Sequence, residues 1–104
     1  MAKIVKRKIS FEAAAAPDVQ GYKLYWSVGE GTLLDYTSEN ADVGNVTDVI
    51  IPDDIPTFPL ADDIINIGVT AYDDVGNESD MSIISSPFDF TAPDAPTNLV
   101  VTTV

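Results

Sequence analysis

The 104-residue sequence predicts an antiparallel β-sandwich of about seven strands. Three observations lead there. Apolar and polar residues alternate with period two in several runs, as in strands with one buried and one solvated face. Gly, Pro, Asn and Asp cluster between those runs, where their backbone preferences make turns. Only the alanines at 13–16 favour a helix, and Pro17 follows them; a single turn does not hold by itself. A small Greek-key barrel fits less well, because the runs are unequal and a Pro-rich joint is long.

The first run spans residues 4–12. Val5, Ile9 and Phe11 fall on one side, and Ile4, Lys6, Lys8 and Ser10 on the other, with Arg7 the exception on the apolar side. Pro17, Asp18 and Gly21 turn the chain into a second run, where Tyr22, Leu24, Trp26 and Val28 alternate with Lys23, Tyr25 and Ser27. Gly29, Gly31 and Gly44 break the middle; an apolar stretch follows at 46–51, then Pro52, Pro56 and Pro59. Ile65, Ile67, Val69 and Ala71 alternate with Asn66, Gly68, Thr70 and Tyr72, and Asp74-Val75-Gly76-Asn77 closes a hairpin. A short stretch at 81–84 and a β-prone run at 99–104, beyond Pro93 and Pro96, complete the set. The inward phase predicts a core of Ile9, Phe11, Tyr22, Leu24, Trp26, Val49, Ile51, Ile67, Val69 and Ala71. Residues 1–90 make the sandwich on this reading; residues 91–104 make a linker and an extra strand, either the start of a next module or a strand for exchange.

Apolar residues are 45% of the chain and charged residues 21%, enough for one core without staples and unlike a disordered composition. There is no Cys and no His, which excludes disulfides, thiolate metal sites and an imidazole base or zinc ligand. Seventeen acidic residues against five basic ones give a net charge of −12. Such a surface repels phosphate backbones and anionic lipid, so nucleic-acid and membrane-surface partners are not expected. No apolar run reaches the length of a membrane span. Lys3, Lys6, Arg7 and Lys8 followed by the alanines superficially resemble a signal peptide, but only Ile9, Ser10, Phe11 and Glu12 lie between. That is too short and too polar for its apolar segment, so no export signal is expected.

Three segments carry a family resemblance. They are Asp18-Val19-Gln20-Gly21-Tyr22-Lys23-Leu24-Tyr25-Trp26, then Val43-Gly44-Asn45-Val46-Thr47, then Val69-Thr70-Ala71-Tyr72-Asp73-Asp74-Val75-Gly76-Asn77-Glu78-Ser79. In order and spacing they resemble the third strand, the approach to the E strand, and the F strand with its F–G hairpin in a bacterial-type fibronectin type III domain. Over about residues 8–88 the resemblance implies an immunoglobulin-like sandwich. Phe11 stands where the family usually has Trp, and Ile65 where it usually has the Tyr that ties down the preceding corner. The F–G turn carries no Arg-Gly-Asp. Too little chain precedes Ile9 for a separate first strand, whereas residues 96–101 resemble one at the far end.

The acidic doublets Asp53-Asp54, Asp62-Asp63 and Asp73-Asp74 are the calcium candidates, since hard cations take several carboxylate oxygens. Asp73, Asp74 and Asn77 share one turn; Asp53 and Asp54 near Asp62 and Asp63 form the other candidate group. None matches the alternating-oxygen calcium loop, and the preference of Asp for turns accounts for the doublets more simply. Paired carboxylates also hydrolyse glycosides, but only in a cleft that raises one pKa. The chain has neither a nucleophile elbow nor a phosphate loop. Trp26 falls on the core phase, while Tyr25, Tyr36 and Tyr72 fall where rings are exposed. Tyr25 and Tyr72 are expected to pair across strands on the outer sheet face. Lys3, Lys6, Arg7 and Lys8 hold four of the five positive charges; they read as a solvated sheet edge or as a docking end for an acidic surface.

These readings point to a non-catalytic structural or interaction module that contacts other proteins, including copies of itself. The expected contact residues are Lys3, Lys6, Arg7, Lys8, Tyr25, Tyr72, Leu99 and Val101. No cofactor is implied, calcium being the one ion the acidic turns would take. Two settings fit: a module of a tandem array on a secreted or cell-surface protein, or a cytoplasmically made subunit of a phage particle or filament that joins head-to-tail through its terminal strand. A calcium- or carbohydrate-binding accessory module is the third reading.

Overall fold

A computed structural model describes residues 2–104. It holds six strands: β1 Arg7–Ser10, β2 Gly21–Val28, β3 Glu39–Gly44, β4 Asp48–Ile51, β5 Asp63–Tyr72 and β6 Ser82–Phe88. β1 and β4 form a two-stranded sheet, and the others form a four-stranded sheet in the order β3-β2-β5-β6. Every pairing is antiparallel. No helix occurs among the described residues, and residues 13–16 are exposed coil.

The long alternating runs become β2 and β5, the middle of the large sheet. Their register sets Leu24 opposite Val69, Trp26 opposite Ile67 and Val28 opposite Ile65, so one face collects the apolar phase of both. The small sheet meets that face with Ile9 and Val49, partners in its own register, and Ile51. Ile55, Phe58, Ile65, Phe88 and Phe90 join the same core. Trp26 lies 5.4 Å from the Phe58 ring, Phe58 lies 6.0 Å from Phe88, and Phe88 stacks on Phe90 at 5.6 Å. Three residues expected in the core are only half-buried. Phe11 lies beyond the end of β1, with its ring edge-on to Tyr22 at 4.9 Å, and Val69 and Ala71 sit where cover thins along β5.

Strand positions differ from expectation in four places. β3 lies outside the expected runs: its sequence, ENADVG, is mostly polar, lies at a sheet edge, and turns only Ala41 and Val43 toward the core. The 46–51 stretch pairs only from Asp48, after a turn in which Gly44 takes φ +76°. The 81–84 stretch runs on to Phe88, with Pro87 near its end; Pro is tolerated at a sheet edge because its missing N–H faces away from the ladder. The 99–104 run forms no strand. Residues 91–104 instead leave the body without strand structure, and Asn98 within them takes φ +56°. The molecule measures 70 × 27 × 19 Å with a radius of gyration of 18.3 Å, against about 13 Å for a compact chain of this length.

The outward face of the large sheet is also covered. Tyr25, Asn66 and Thr70, all on the polar phase, are buried. Asn66 shows what covers it there. Its Nδ2 lies 3.0 Å from Ser27 Oγ, Gly29 O and Thr32 Oγ1, and Ser85 Oγ donates to its Oδ1 at 2.5 Å. One amide thus ties the turn after β2 to β5 and β6. Asn66→Ala takes the acceptor from Ser85 Oγ and removes the amide's ties to Ser27 Oγ, Gly29 O and Thr32 Oγ1, which keep their bonds to one another, and should cost about 1–2 kcal/mol in a urea melt; a loss of a few tenths would mean that water replaces the amide freely.

Candidate functional site

β1 pairs with β4 on one side only. The Phe11 N–H donates to Thr47 O at 3.0 Å, continuing the β1–β4 register by one pair. In an antiparallel ladder, residues alternate between turning both backbone groups toward the partner and turning both away. Arg7, Ile9 and Phe11 therefore face β4, and Lys8 and Ser10 present their N–H and C=O groups at the open edge. An unpaired edge is a template for another strand.

Across from this edge lies β6. Ile67 and Ile84 are register partners, so both side chains stand on the sheet face that meets the small sheet. Ile67 is 2% exposed, yet Ile84 is 60% exposed. The large sheet has four strands and the small one two, so cover ends at β1 and Ile84 is left bare. The result is an open groove of about 300 Å³ between Arg7, Lys8, Ile9 and Ser10 of β1 and Ile67, Ile84, Ser86, Pro87 and Phe88 of the large sheet.

The basic cluster does not stand free. Lys6 Nζ bonds Asp53 Oδ2 at 2.6 Å, an exposed pair of the kind that contributes about 0–1 kcal/mol. The Arg7 guanidinium lies 5.7 Å from the Phe90 ring centroid and donates to Val5 O at 2.5 Å and Asp89 O at 3.4 Å. It caps the core where the chain leaves β6, which accounts for an arginine on the apolar phase. Lys3 and Lys8 are exposed.

Tyr25 and Tyr72 are not the exposed pair expected from their phase. The register places Tyr25 opposite Gly68 and Tyr72 opposite Gly21. Tyr25 is 2% exposed; its hydroxyl donates to Glu78 Oε1 and its ring meets Tyr36 edge-on at 6.0 Å. Thr70 Oγ1 donates to the same Glu78 oxygen at 2.7 Å, and Lys23 Nζ lies 3.8 Å from Glu78 Oε2. Burial, followed by the bond to the Glu78 carboxylate, pushes the Tyr25 hydroxyl up to about 12. Burial raises the Glu78 carboxyl, but the bonds from Tyr25 and Thr70 and the charge of Lys23 outweigh it and hold Glu78 below the usual range. The Tyr72 hydroxyl bonds both Asp42 oxygens at 2.9 Å, and that bond raises its pKa. This network locks loops onto a sheet. No sequence signal marked Glu78, because its role comes from the fold bringing it back over β2.

The acidic doublets serve turns and ties between distant segments. Asp73 Oδ1 accepts from Val75 N and Asn77 N at 3.1 and 2.9 Å, and Asn77 Nδ2 donates to Asp73 Oδ2 at 3.0 Å. The bond from the Asn77 side chain is the main cause holding the Asp73 carboxyl below its ordinary value. Gly76, at φ +92°, closes this turn. Asp74 is exposed beside it. Asp54 Oδ2 accepts from Ile50 N at 2.6 Å, Asp62 Oδ1 from Phe90 N at 2.8 Å, and Asp63 Oδ1 from Ile64 N at 2.7 Å. Among the described residues no three acidic side chains converge in a way that could hold a metal ion. No helix among the described residues is long and apolar enough to cross a membrane.

Leu99 and Val101 line no part of the groove and are almost fully exposed, at 95% and 98%. No family model, no curated protein and no solved structure matches this chain.

Proposed function

We propose that the chain is a non-catalytic interaction module that binds protein by adding an extended segment to the open edge of β1. One observation carries this reading: Ile84 stands on the inward face of the large sheet and is bare because the small sheet ends one strand short of it. In strand addition the edge N–H and C=O groups supply affinity and alternate side chains entering a groove supply selectivity. Lys8 and Ser10 offer the first; the groove between Ile9 and Ile84 offers the second. The small sheet of β1 and β4 facing β3-β2-β5-β6 also supports a fibronectin type III-like, immunoglobulin-like kinship, on which a bare β1 edge corresponds to an unfilled first strand. The projecting tail favours a setting in which modules follow one another, whether in a surface array or in a virion or filament.

The test is a display library of extended eight-residue peptides panned on the chain lacking residues 97–104, whose β1 edge no tail can fill. Selected peptides should alternate apolar residues and slow amide exchange at Lys8 and Ser10. Peptides that protect the β3 edge or the loops instead, or a library that yields no binder, would overturn the reading.

A further inference from the structure

We propose that the strand seated at this edge is residues 97–104 of a second copy of the chain. The inference rests on the edge reading above and names its partner. Among the described residues the tail is an apolar segment that the fold leaves without a place. Leu99, Val100, Val101 and Val104 are all exposed, and no part of residues 97–104 is in a strand. In an extended chain Leu99 and Val101 share one side, the arrangement a strand needs to fill a groove running from Ile9 to Ile84. Eight residues reach about 26 Å as a strand, more than enough to run the length of the four-residue β1.

Charge selects the same pairing. The chain carries −12 overall, so most contacts between copies are repulsive. Residues 95–104 contain no charged side chain, and four of the five positive charges lie at residues 3–8, along and just before β1. Tail on β1 edge is therefore the encounter between copies that like charge opposes least.

Geometry disfavours the chain's own tail as the occupant. The chain leaves β6 beside Arg7, whose guanidinium covers Phe90 and bonds Asp89 O. The exit is thus at the start of β1. To reach its own open edge the tail would have to double back through a joint holding Pro93 and Pro96, which is stiff and extended. Instead residues 93–104 stand exposed, in a molecule 70 Å long. A second copy meets that projecting strand without any reversal. The contact is head-to-tail, so it closes into a ring or propagates as a filament according to its rotation.

The test compares the full chain, a chain lacking residues 97–104, and Ile84→Asp by sedimentation velocity over a concentration series, with circular dichroism to establish folding. A synthetic peptide of residues 95–104 is titrated into the truncated chain. The full chain should form concentration-dependent oligomers and the truncated chain a folded monomer. The peptide should bind the truncated chain and slow exchange at Lys8 and Ser10. Ile84 is already exposed, so Ile84→Asp keeps the fold while placing a charge in the groove, and it should weaken peptide binding at least about tenfold in the truncated background. Four results overturn the proposal: truncation that leaves the oligomer unchanged, a peptide that does not bind, peptide binding indifferent to Ile84→Asp, or a full chain that stays monomeric. In the last case, protected Lys8 and Ser10 amides would show the tail folded onto its own edge. Library peptides that protect β1 while the 95–104 peptide does not would retain the edge reading and reject this occupant; failure of both rejects both.

Discussion

Trp26→Ala should lower stability by about 3–5 kcal/mol, the range for large aromatic truncations in a core, which approaches the whole stability of a small domain, about 5–15 kcal/mol. Trp26 is buried on the inner face of β2 and sits opposite Ile67. Its ring starts a chain of aromatic contacts through Phe58 and Phe88 to Phe90. Removing it strips Phe58 of its contact with β2 and leaves that ring only Phe88 among its aromatic neighbours. The cavity cannot close easily, because only two strands back it and their positions are held by the β1–β4 ladder. Trp26 is the one tryptophan, so the melt is followed by circular dichroism in urea rather than by fluorescence. Trp26→Phe should recover much of the loss, since a smaller ring still reaches Phe58. A loss of only a few tenths for the alanine variant would mean that this face of β2 is wet.

Glu78→Ala should cost about 2–3 kcal/mol, because it strips the acceptor from two hydroxyls, Tyr25 and Thr70, that the fold has taken out of water. Tyr25→Phe removes one donor and leaves the carboxylate its bond to Thr70 and its charge partner Lys23, so it should cost less. The pH dependence carries the same information. Glu78 has a depressed pKa in the folded chain. Its contribution is full above the unfolded glutamate value, about 4.3, and is lost as pH falls through the lower folded value. Tyr25 has a pKa raised from 10.0 to about 12. For that group the neutral form is favoured by folding, so stability is full below the unfolded value of 10.0 and is lost as pH rises toward about 12. Melting temperature should therefore drop on both flanks. Tyr25→Phe should flatten the alkaline flank in part, with Tyr72, also raised by its bond to Asp42, supplying the remainder. An alkaline flank identical in the wild-type chain and Tyr25→Phe would show that the hydroxyl is solvated.

Much of the architecture was legible in local pattern. Leu24, Trp26, Ile67 and the Ile9–Val49 pair are where alternation puts them, and the turn at 73–77 forms where Asp, Gly and Asn cluster. Alternation works for these residues because a strand's side-chain period is set by its own backbone. Other residues carried no such signal. Ile55 and Phe58 enter the core from an irregular Pro-rich segment, where no period exists to read. β3 is polar and becomes a strand through its pairing with β2.

The candidate site divides along the same line. Sequence by itself determined that Lys8 and Ser10 lie on the outward phase next to Ile9, that the tail is neutral and β-prone, and that the body is acidic. Tertiary structure alone decided what covers each face. Tyr25 has the phase of an exposed ring, but Glu78 and Tyr36 come back over it and it is buried. Ile84 has the phase of a core residue, but a two-stranded sheet facing a four-stranded one leaves it bare. The physical reason is one of range. Phase is a property of consecutive peptide units, whereas cover depends on how many strands stand opposite and where distant loops return, and those are fixed by contacts between residues far apart in the chain.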